Sequence, residues 1–128
     1  MTLDDLDRWL GLYGRAWERK DVDAFVDCFV QDAVYYWGPS WNEPLRGHDR
    51  IRARTEEAVA AQEAVRFGHE PLAITPDGRG LAHWWVSLDI TGGTTVELEG
   101  IFLVTLDDKG LCTDFREWWN ERVLSASS

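Results

Sequence analysis

The stretch Leu81-Ala82-His83-Trp84-Trp85-Val86-Ser87-Leu88-Asp89-Ile90 is followed by Thr91-Gly92-Gly93-Thr94 and a second extended run, Thr95 to Leu106. β-Branched and aromatic residues around a glycine pair predict a β-hairpin. A two-residue type I′ turn needs positive φ at both central positions, which Gly92-Gly93 supplies. A second turn, Asp107-Asp108-Lys109-Gly110, leads into a third strand ending in Phe115-Arg116-Glu117-Trp118-Trp119-Asn120. Residues paired across antiparallel strands share a face. With Gly92-Gly93 as the turn, His83 pairs with Phe102 and Trp85 with Gly100. With Leu106 opposite Leu111, Phe102 pairs with Phe115, Gly100 with Glu117 and Leu98 with Trp119. One face then carries His83, Trp85, Leu98, Gly100, Phe102, Phe115, Glu117 and Trp119. It is an aromatic surface holding two proton-transfer groups, with Gly100 leaving a gap between them.

In the same register the opposite face presents Ala82, Trp84, Val86, Leu88 and Ile90 as an uninterrupted apolar row. Ile101, Leu103 and Trp118 extend it, and Glu97, Glu99 and Arg116 supply a polar rim. An apolar patch of that size marks an interface on a soluble protein. The expectation is a two-fold homodimer packed sheet to sheet, with Trp84 near its centre.

Outward from the hairpins, the N-terminal half is helical. Leu3, Leu6, Leu10, Tyr13 and Trp17 recur every three or four positions, predicting one amphipathic helix capped by Thr2 or Asp4. A short second helix starts at Asp21, and Asp32 to Trp37 predicts a strand. Gly38 to Gly47, with Pro39 and Pro44, reads as a loop carrying Trp41, and a third helix runs from about His48 to Gln62. Val65 to Thr75 is another strand, closed by Pro76-Asp77-Gly78. Three helices interrupted by one strand, then four strands, give an α+β fold with helices on one face of a curved antiparallel sheet.

The chain of 128 residues is long enough for one core, so residues 1–128 read as a single domain. Its 23 acidic against 13 basic residues, net −10, leave no basic stripe for nucleic acid and disfavour an acidic membrane surface. No apolar run is long enough to span a bilayer, and the acidic start Met1-Thr2-Leu3-Asp4-Asp5 does not read as a secretory signal. Cys28 and Cys112, far apart, read as free buried thiols of a cytoplasmic protein. His, Asp and Glu show no metal-ligand spacing, so no metal or other cofactor is expected. Eight tryptophans are more than a core of this size ordinarily packs, and they predict an aromatic-lined cavity for a small hydrophobic molecule.

These landmarks carry a family resemblance. They are Tyr13, Trp17, Lys20-Asp21-Val22-Asp23-Ala24-Phe25, Phe29 with Asp32-Ala33-Val34, Leu45-Arg46-Gly47-His48-Asp49-Arg50-Ile51, Glu99-Gly100-Ile101-Phe102, Asp108-Lys109-Gly110 and Arg116-Glu117-Trp118-Trp119-Asn120. In order and spacing the chain resembles the nuclear transport factor 2-like superfamily, in its polyketide-cyclase-like, ketosteroid-isomerase-like and limonene epoxide hydrolase-like branches. The resemblance implies a cone, a curved sheet wrapped around three helices with a deep hydrophobic pocket. Its members isomerise, cyclise, dehydrate or hydrate hydrophobic small molecules, and some only bind, so fold does not set the reaction.

Residue by residue, Tyr13 falls where ketosteroid isomerases keep the tyrosine that donates to an enolate; a core tyrosine on a helix stripe is the other reading. Their two aspartates fall on Trp37 and Phe102, which argues against steroid isomerisation. Glu117 falls on a water-activating aspartate of limonene epoxide hydrolases, whose partner arginine and aspartate fall on Leu81 and His83. Polyketide cyclases pair an inward acid near the chain end with a histidine, and His83 with Glu117 looks most like that.

The candidate catalytic residues are therefore His83 and Glu117, with Tyr13, and with His69 from its alternation with Val65 and Phe67. The candidate substrate-binding residues are Trp17, Tyr35, Trp37, Trp41, Trp85, Leu98, Phe102, Phe115 and Trp119. A carboxylate in an apolar pocket has its pKa raised, and with an imidazole it can act as general acid or base near neutrality. Two function classes stay open: a cofactor-independent enzyme acting on a hydrophobic ring-containing molecule, and a non-catalytic ligand-binding or accessory protein of the same fold.

Overall fold

A computed structural model describes residues 1–126, with side chains to Leu124. The elements are α1 (Leu3–Glu18), α2 (Val22–Val26), β1 (Phe29–Trp37), β2 (Leu45–Arg46), α3 (His48–Ala60), β3 (Gln62–Ile74), β4 (Gly80–Ile90), β5 (Thr94–Leu106) and β6 (Cys112–Ala126). Thr2 caps α1 through a reciprocal pair: its hydroxyl accepts from the Asp5 amide at 3.1 Å, and its own amide donates to the Asp5 carboxylate at 2.9 Å. Asp21 caps α2 by accepting from the Ala24 amide. Gly47 precedes α3 at φ 86°, a conformation costly for any residue with a side chain. The order of elements is the expected α+β one, with the two-residue β2 inside the anticipated loop.

The strands form one six-stranded sheet in the order β2-β1-β6-β5-β4-β3. It is antiparallel except at β1 and β6, which run parallel, with Tyr35 opposite Phe115 and Trp37 opposite Glu117. That pairing brings the N-terminal strand beside the C-terminal one and makes the sheet mixed rather than purely antiparallel. The apolar stripe of α1, comprising Leu6, Trp9, Leu10, Tyr13 and Ala16, is buried against the sheet. Aromatic rings join the layers: Tyr13 lies 5.4 Å from both Phe102 and Phe115, and Trp84 stacks on Phe102 at 4.7 Å. Each such pair contributes about 0.5–1.5 kcal/mol beyond its buried area.

The register of the first hairpin differs from expectation, and the difference inverts its first strand. The turn is a three-residue loop, Thr91-Gly92-Gly93, because Ile90 pairs with Thr94 and the Gly93 amide donates to the Ile90 carbonyl at 3.0 Å. Ala82 therefore faces Phe102, His83 faces Ile101 and Trp84 faces Gly100. A slip of one residue moves every side chain of a strand to the other face. The second hairpin is displaced by two: Phe102 pairs with Glu117 and Gly100 with Trp119, after a bulge between Thr105 and Leu106. An even shift preserves the face, so Leu98, Phe102, Phe115, Glu117 and Trp119 point inward as anticipated.

The expected dimer contact is corrected by the same slip. Ala82, Trp84, Val86 and Leu88 are 0–2% exposed and form the core beneath the helices, so they cannot meet a second chain. The outer face carries His83, Trp85, Ile101, Leu103 and Trp118 instead, with Trp85 and Trp118 exposed.

Gly100 is not the floor of an open gap between His83 and Glu117. It lies between Trp84 and Trp119, and a Cβ there would stand 1.7 Å from the Trp118 carbonyl oxygen. Backbone cannot yield as a side chain does. Gly100→Ala is expected to force β5 and β6 apart at a cost of about 3 kcal/mol, lowering Tm by roughly 10 °C. A melting curve within a few degrees of wild type would show that this crossing relaxes freely.

Candidate active site

Helix α3 stands off the sheet and leaves a cavity of about 220 Å³ between itself, α1 and the strands β1, β5 and β6. Its wall is apolar and aromatic, with Trp17, Trp84, Leu98 and Trp119 on one side and Ile51, Ala58 and Val59 of α3 on the other. Tyr13, Tyr35 and Glu117 contribute the polar groups of the interior, and Arg54, Thr55, Gln62 and Glu121 those nearer the opening. The position of each group follows from local structure. Tyr13 and Trp17 are one helical turn apart on the buried stripe of α1. Tyr35 and Glu117 project from the parallel pair β1 and β6, whose register sets Phe115 beside Tyr35 and Glu117 beside Trp37. Gln62 is held by the Trp17 indole N–H, which donates to its carbonyl oxygen at 2.8 Å.

Glu117 is the one charged residue buried in the fold, 8% exposed, among the described residues. Burial pushes its pKa up to about 7, because the ionised form loses water. The Tyr35 hydroxyl, placed to donate to the carboxylate, and the charge of Arg54 keep it from rising further. Tyr13 lies beside Tyr35, and both phenols are held well above their ordinary range, first by burial and then by the Glu117 charge. Tyr35 is thus the phenol next to the carboxyl group, with Tyr13 behind it. The site thus holds a carboxyl group that is half protonated near neutral pH beside two phenols that stay protonated. A carboxyl so tuned can take a proton from carbon or oxygen and return it, while neutral phenols can donate to a developing oxyanion.

Of the expected residues, the cavity gathers Glu117, Tyr13, Trp17, Tyr35, Leu98 and Trp119. It does not gather His83, which lies on the outer face. The His83 Nε2 is 3.1 Å from Glu99 and Nδ1 is 3.7 Å from Glu70, and the ring packs on Trp85 at 4.9 Å. The His83–Glu117 dyad is therefore not formed, because the three-residue turn puts the two on opposite sides of the sheet. Trp85 is excluded for the same reason and lies over Gly68. His69 points to the helix side as expected, yet its Nε2 is bonded to Asp7 of α1 at 2.9 Å, away from the cavity. Trp41 is 85% exposed on its loop, and Phe102 and Phe115 are wholly buried in the core behind the cavity. Trp37 lies outside the lining. Its indole N–H donates to the Glu43 carbonyl and its ring supports Arg54.

Arg54, Thr55, Gln62 and Trp84 were absent from the sequence-derived site. The third helix was legible in the sequence from about His48, but not as a cavity wall; in the structure Ile51, Arg54, Thr55, Ala58 and Val59 of α3 line the cavity and Gln62 opens β3. Trp84 was assigned to the wrong face. Among the described residues no group of three or more His, Cys, Asp or Glu is arranged to hold a metal, and no helix is long and apolar enough to cross a membrane.

The family model of the SnoaL-like domain matches residues 10–115. No curated protein sequence matches the chain significantly. Among solved structures, RV0760c from Mycobacterium tuberculosis is similar at 18% identity and a TM-score of 0.81, covering 96% of this chain and 98% of that one. A Δ5-3-ketosteroid isomerase from Mycobacterium sp. is similar at 16% identity and a TM-score of 0.77, covering 93% and 98%. SalBIII, described as an epoxide hydrolase/cyclase-like enzyme in pyran ring formation in the polyether salinomycin, is similar at 20% identity and a TM-score of 0.77, covering 95% and 99%. At these identities the likeness is one of fold, and the chemistry has to be read from the cavity itself.

Proposed function

The chain belongs to the SnoaL-like domain family, and from that premise we propose that it is a cofactor-independent enzyme in which Glu117 is the general acid–base. The observation that carries this reading is a carboxyl group buried beside two phenols in an otherwise apolar cavity, where burial raises its pKa. Glu117 takes a proton from carbon next to a carbonyl group, and Tyr35 and Tyr13 donate to the oxygen on which charge develops. The same group then returns the proton to carbon at another position, to a leaving oxygen, or to the oxygen of a second carbonyl group that the enolate carbon attacks in closing a ring. Structural relatives include an isomerase and a cyclase-like enzyme, both compatible with such a proton transfer. The absence of His83 from the cavity removes the two-group exchange first expected and leaves one carboxyl group to carry the proton both ways.

A bicyclic ketone provides the test. Wild-type protein in deuterated water should catalyse α-proton exchange of 2-tetralone, followed by proton NMR, with a rate that rises through about pH 7 as Glu117 ionises. Tyr35→Phe should displace that inflection upward, since the donor that favours the charged form is gone. Exchange no faster than in buffer, for 2-tetralone and for monocyclic enones alike, would favour the second reading, a ligand-binding protein without catalysis. We also propose a homodimer through the outer sheet face, centred on Trp85 and Trp118 rather than on Trp84.

A further inference from the structure

Arg54 is an exposed cation at the opening of the cavity. It lines an apolar cavity, and among the described residues no carboxylate lies within ion-pair distance of it. Its neighbour on the helix, Arg52, is by contrast bonded to Asp23 at 2.6 Å. The Arg54 guanidinium rests over the Trp37 ring, 4.6 Å from its centre, and that ring is tied down by its N–H bond to the Glu43 carbonyl at 3.1 Å. The cation is thus held in place by a face that leaves its N–H fork unused. Along α3 the charges balance, Arg50, Arg52 and Arg54 against Asp49, Glu56 and Glu57, so the case for an anionic ligand rests on the Arg54 side chain itself at the cavity opening.

We propose that Arg54 is the specificity-determining residue of the cavity, and that its ligand is a one- or two-ring molecule carrying a carboxylate. This rests on reading the cavity as the functional site. The ring count follows from volume: a dry cavity of about 150 Å³ holds benzene, so one of about 220 Å³ takes one ring or two small fused ones. The carboxylate follows from the donor: a planar fork meets two carboxylate oxygens in parallel, and stacking removes much of the ordering cost. The ligand rings then lie against Trp17, Trp84 and Trp119, with the reacting end toward Glu117.

The anion on Arg54 has a consequence for Glu117. Arg54 is one of the groups that favour the ionised carboxylate; the others facing Glu117 are the phenols Tyr35 and Tyr13, with Glu121 on its own strand at the rim. A ligand carboxylate neutralises Arg54, so binding draws a proton onto Glu117. Affinity for the anion falls as pH rises through about 7, while affinity for a neutral analogue stays level.

The test is binding of 2-naphthoate and of its uncharged counterpart 2-acetylnaphthalene, by calorimetry near pH 6. Wild-type protein should prefer the carboxylate by at least about tenfold, the effect of a charged hydrogen-bonded contact. Arg54→Met keeps the stem on Trp37 and should abolish the preference while leaving 2-acetylnaphthalene binding within about twofold. Arg54→Lys should retain part of it. Equal affinities in the wild type, a preference that survives in Arg54→Met, or no binding of either probe would each overturn the proposal. The readout is independent of turnover, so a Glu117→Gln variant that binds naphthoate with the same preference yet fails to exchange protons separates this inference from the catalytic reading.

Discussion

Glu117→Gln should lower kcat by at least about a hundredfold on any substrate the cavity turns over, with little change in KM. The amide keeps the shape and the contact with Tyr35 but cannot exchange a proton near neutral pH, and general acid–base groups contribute roughly 10²–10⁴ in rate. The same substitution should act on stability with a definite sign. The Glu117 pKa is raised from an ordinary 4.5 to about 7 by burial, so the folded protein favours the protonated form. Its favourable contribution is whole below about pH 4.5 and is lost as pH rises through 7. The difference corresponds to about 3 kcal/mol. Urea unfolding at pH 8 should therefore show Glu117→Gln gaining on the wild type by about that amount relative to the comparison at pH 4.5. A variant that turns over like the wild type would place Glu117 among structural residues. A stability gap that does not change with pH would show that the carboxyl group is solvated.

Two adjacent tryptophans should respond in opposite ways to the same change. Trp84 is 1% exposed and stacks on Phe102. Trp84→Glu removes a large aromatic and puts an unpaired carboxylate under the helices, and either loss alone costs several kcal/mol. No folded protein is expected. Trp85 is 40% exposed on the outer face, and Trp85→Glu should fold, losing on the order of 1 kcal/mol of packing against Gly68. If the outer face pairs two chains, this variant should be a monomer by light scattering where the wild type is a dimer. A folded Trp84→Glu beside an unfolded Trp85→Glu would mean that the first hairpin has the other register, and His83 would return to the cavity.

That pair of variants marks the boundary of what was legible. Helix α1 could be read from the spacing of Leu6, Leu10, Tyr13 and Trp17 because a helix face repeats by local geometry. Its cap was legible as Thr2 or Asp4, and the structure places it at Thr2. The faces of β5 and β6 were read correctly although their register was off, since a displacement of two leaves alternation intact. Tyr35, Trp17, Leu98, Trp119 and Glu117 were placed in one cavity on that basis and on the family resemblance. The face of β4 was misread because Gly92-Gly93 suits both a two-residue turn and a three-residue loop, and local chemistry does not choose between them.

The sequence by itself determined the order of helices and strands, the enclosure of one aromatic cavity and the identity of its buried acid. The first depends on residue type and short-range spacing, the other two on strand alternation together with the family resemblance. Only the tertiary structure decided which side of β4 is inside, and so that His83 sits between Glu70 and Glu99 on the surface while Trp84 lines the cavity. It also decided that β1 lies parallel to β6, which brings Tyr35 to Glu117, and that α3 lays Arg54 at the opening. The physical reason is the same throughout. Alternation along a strand gives two faces without saying which is covered, and the choice is made by the whole core: Ala82, Trp84, Val86 and Leu88 face it because together they bury more apolar surface than His83, Trp85, Ser87 and Asp89 would.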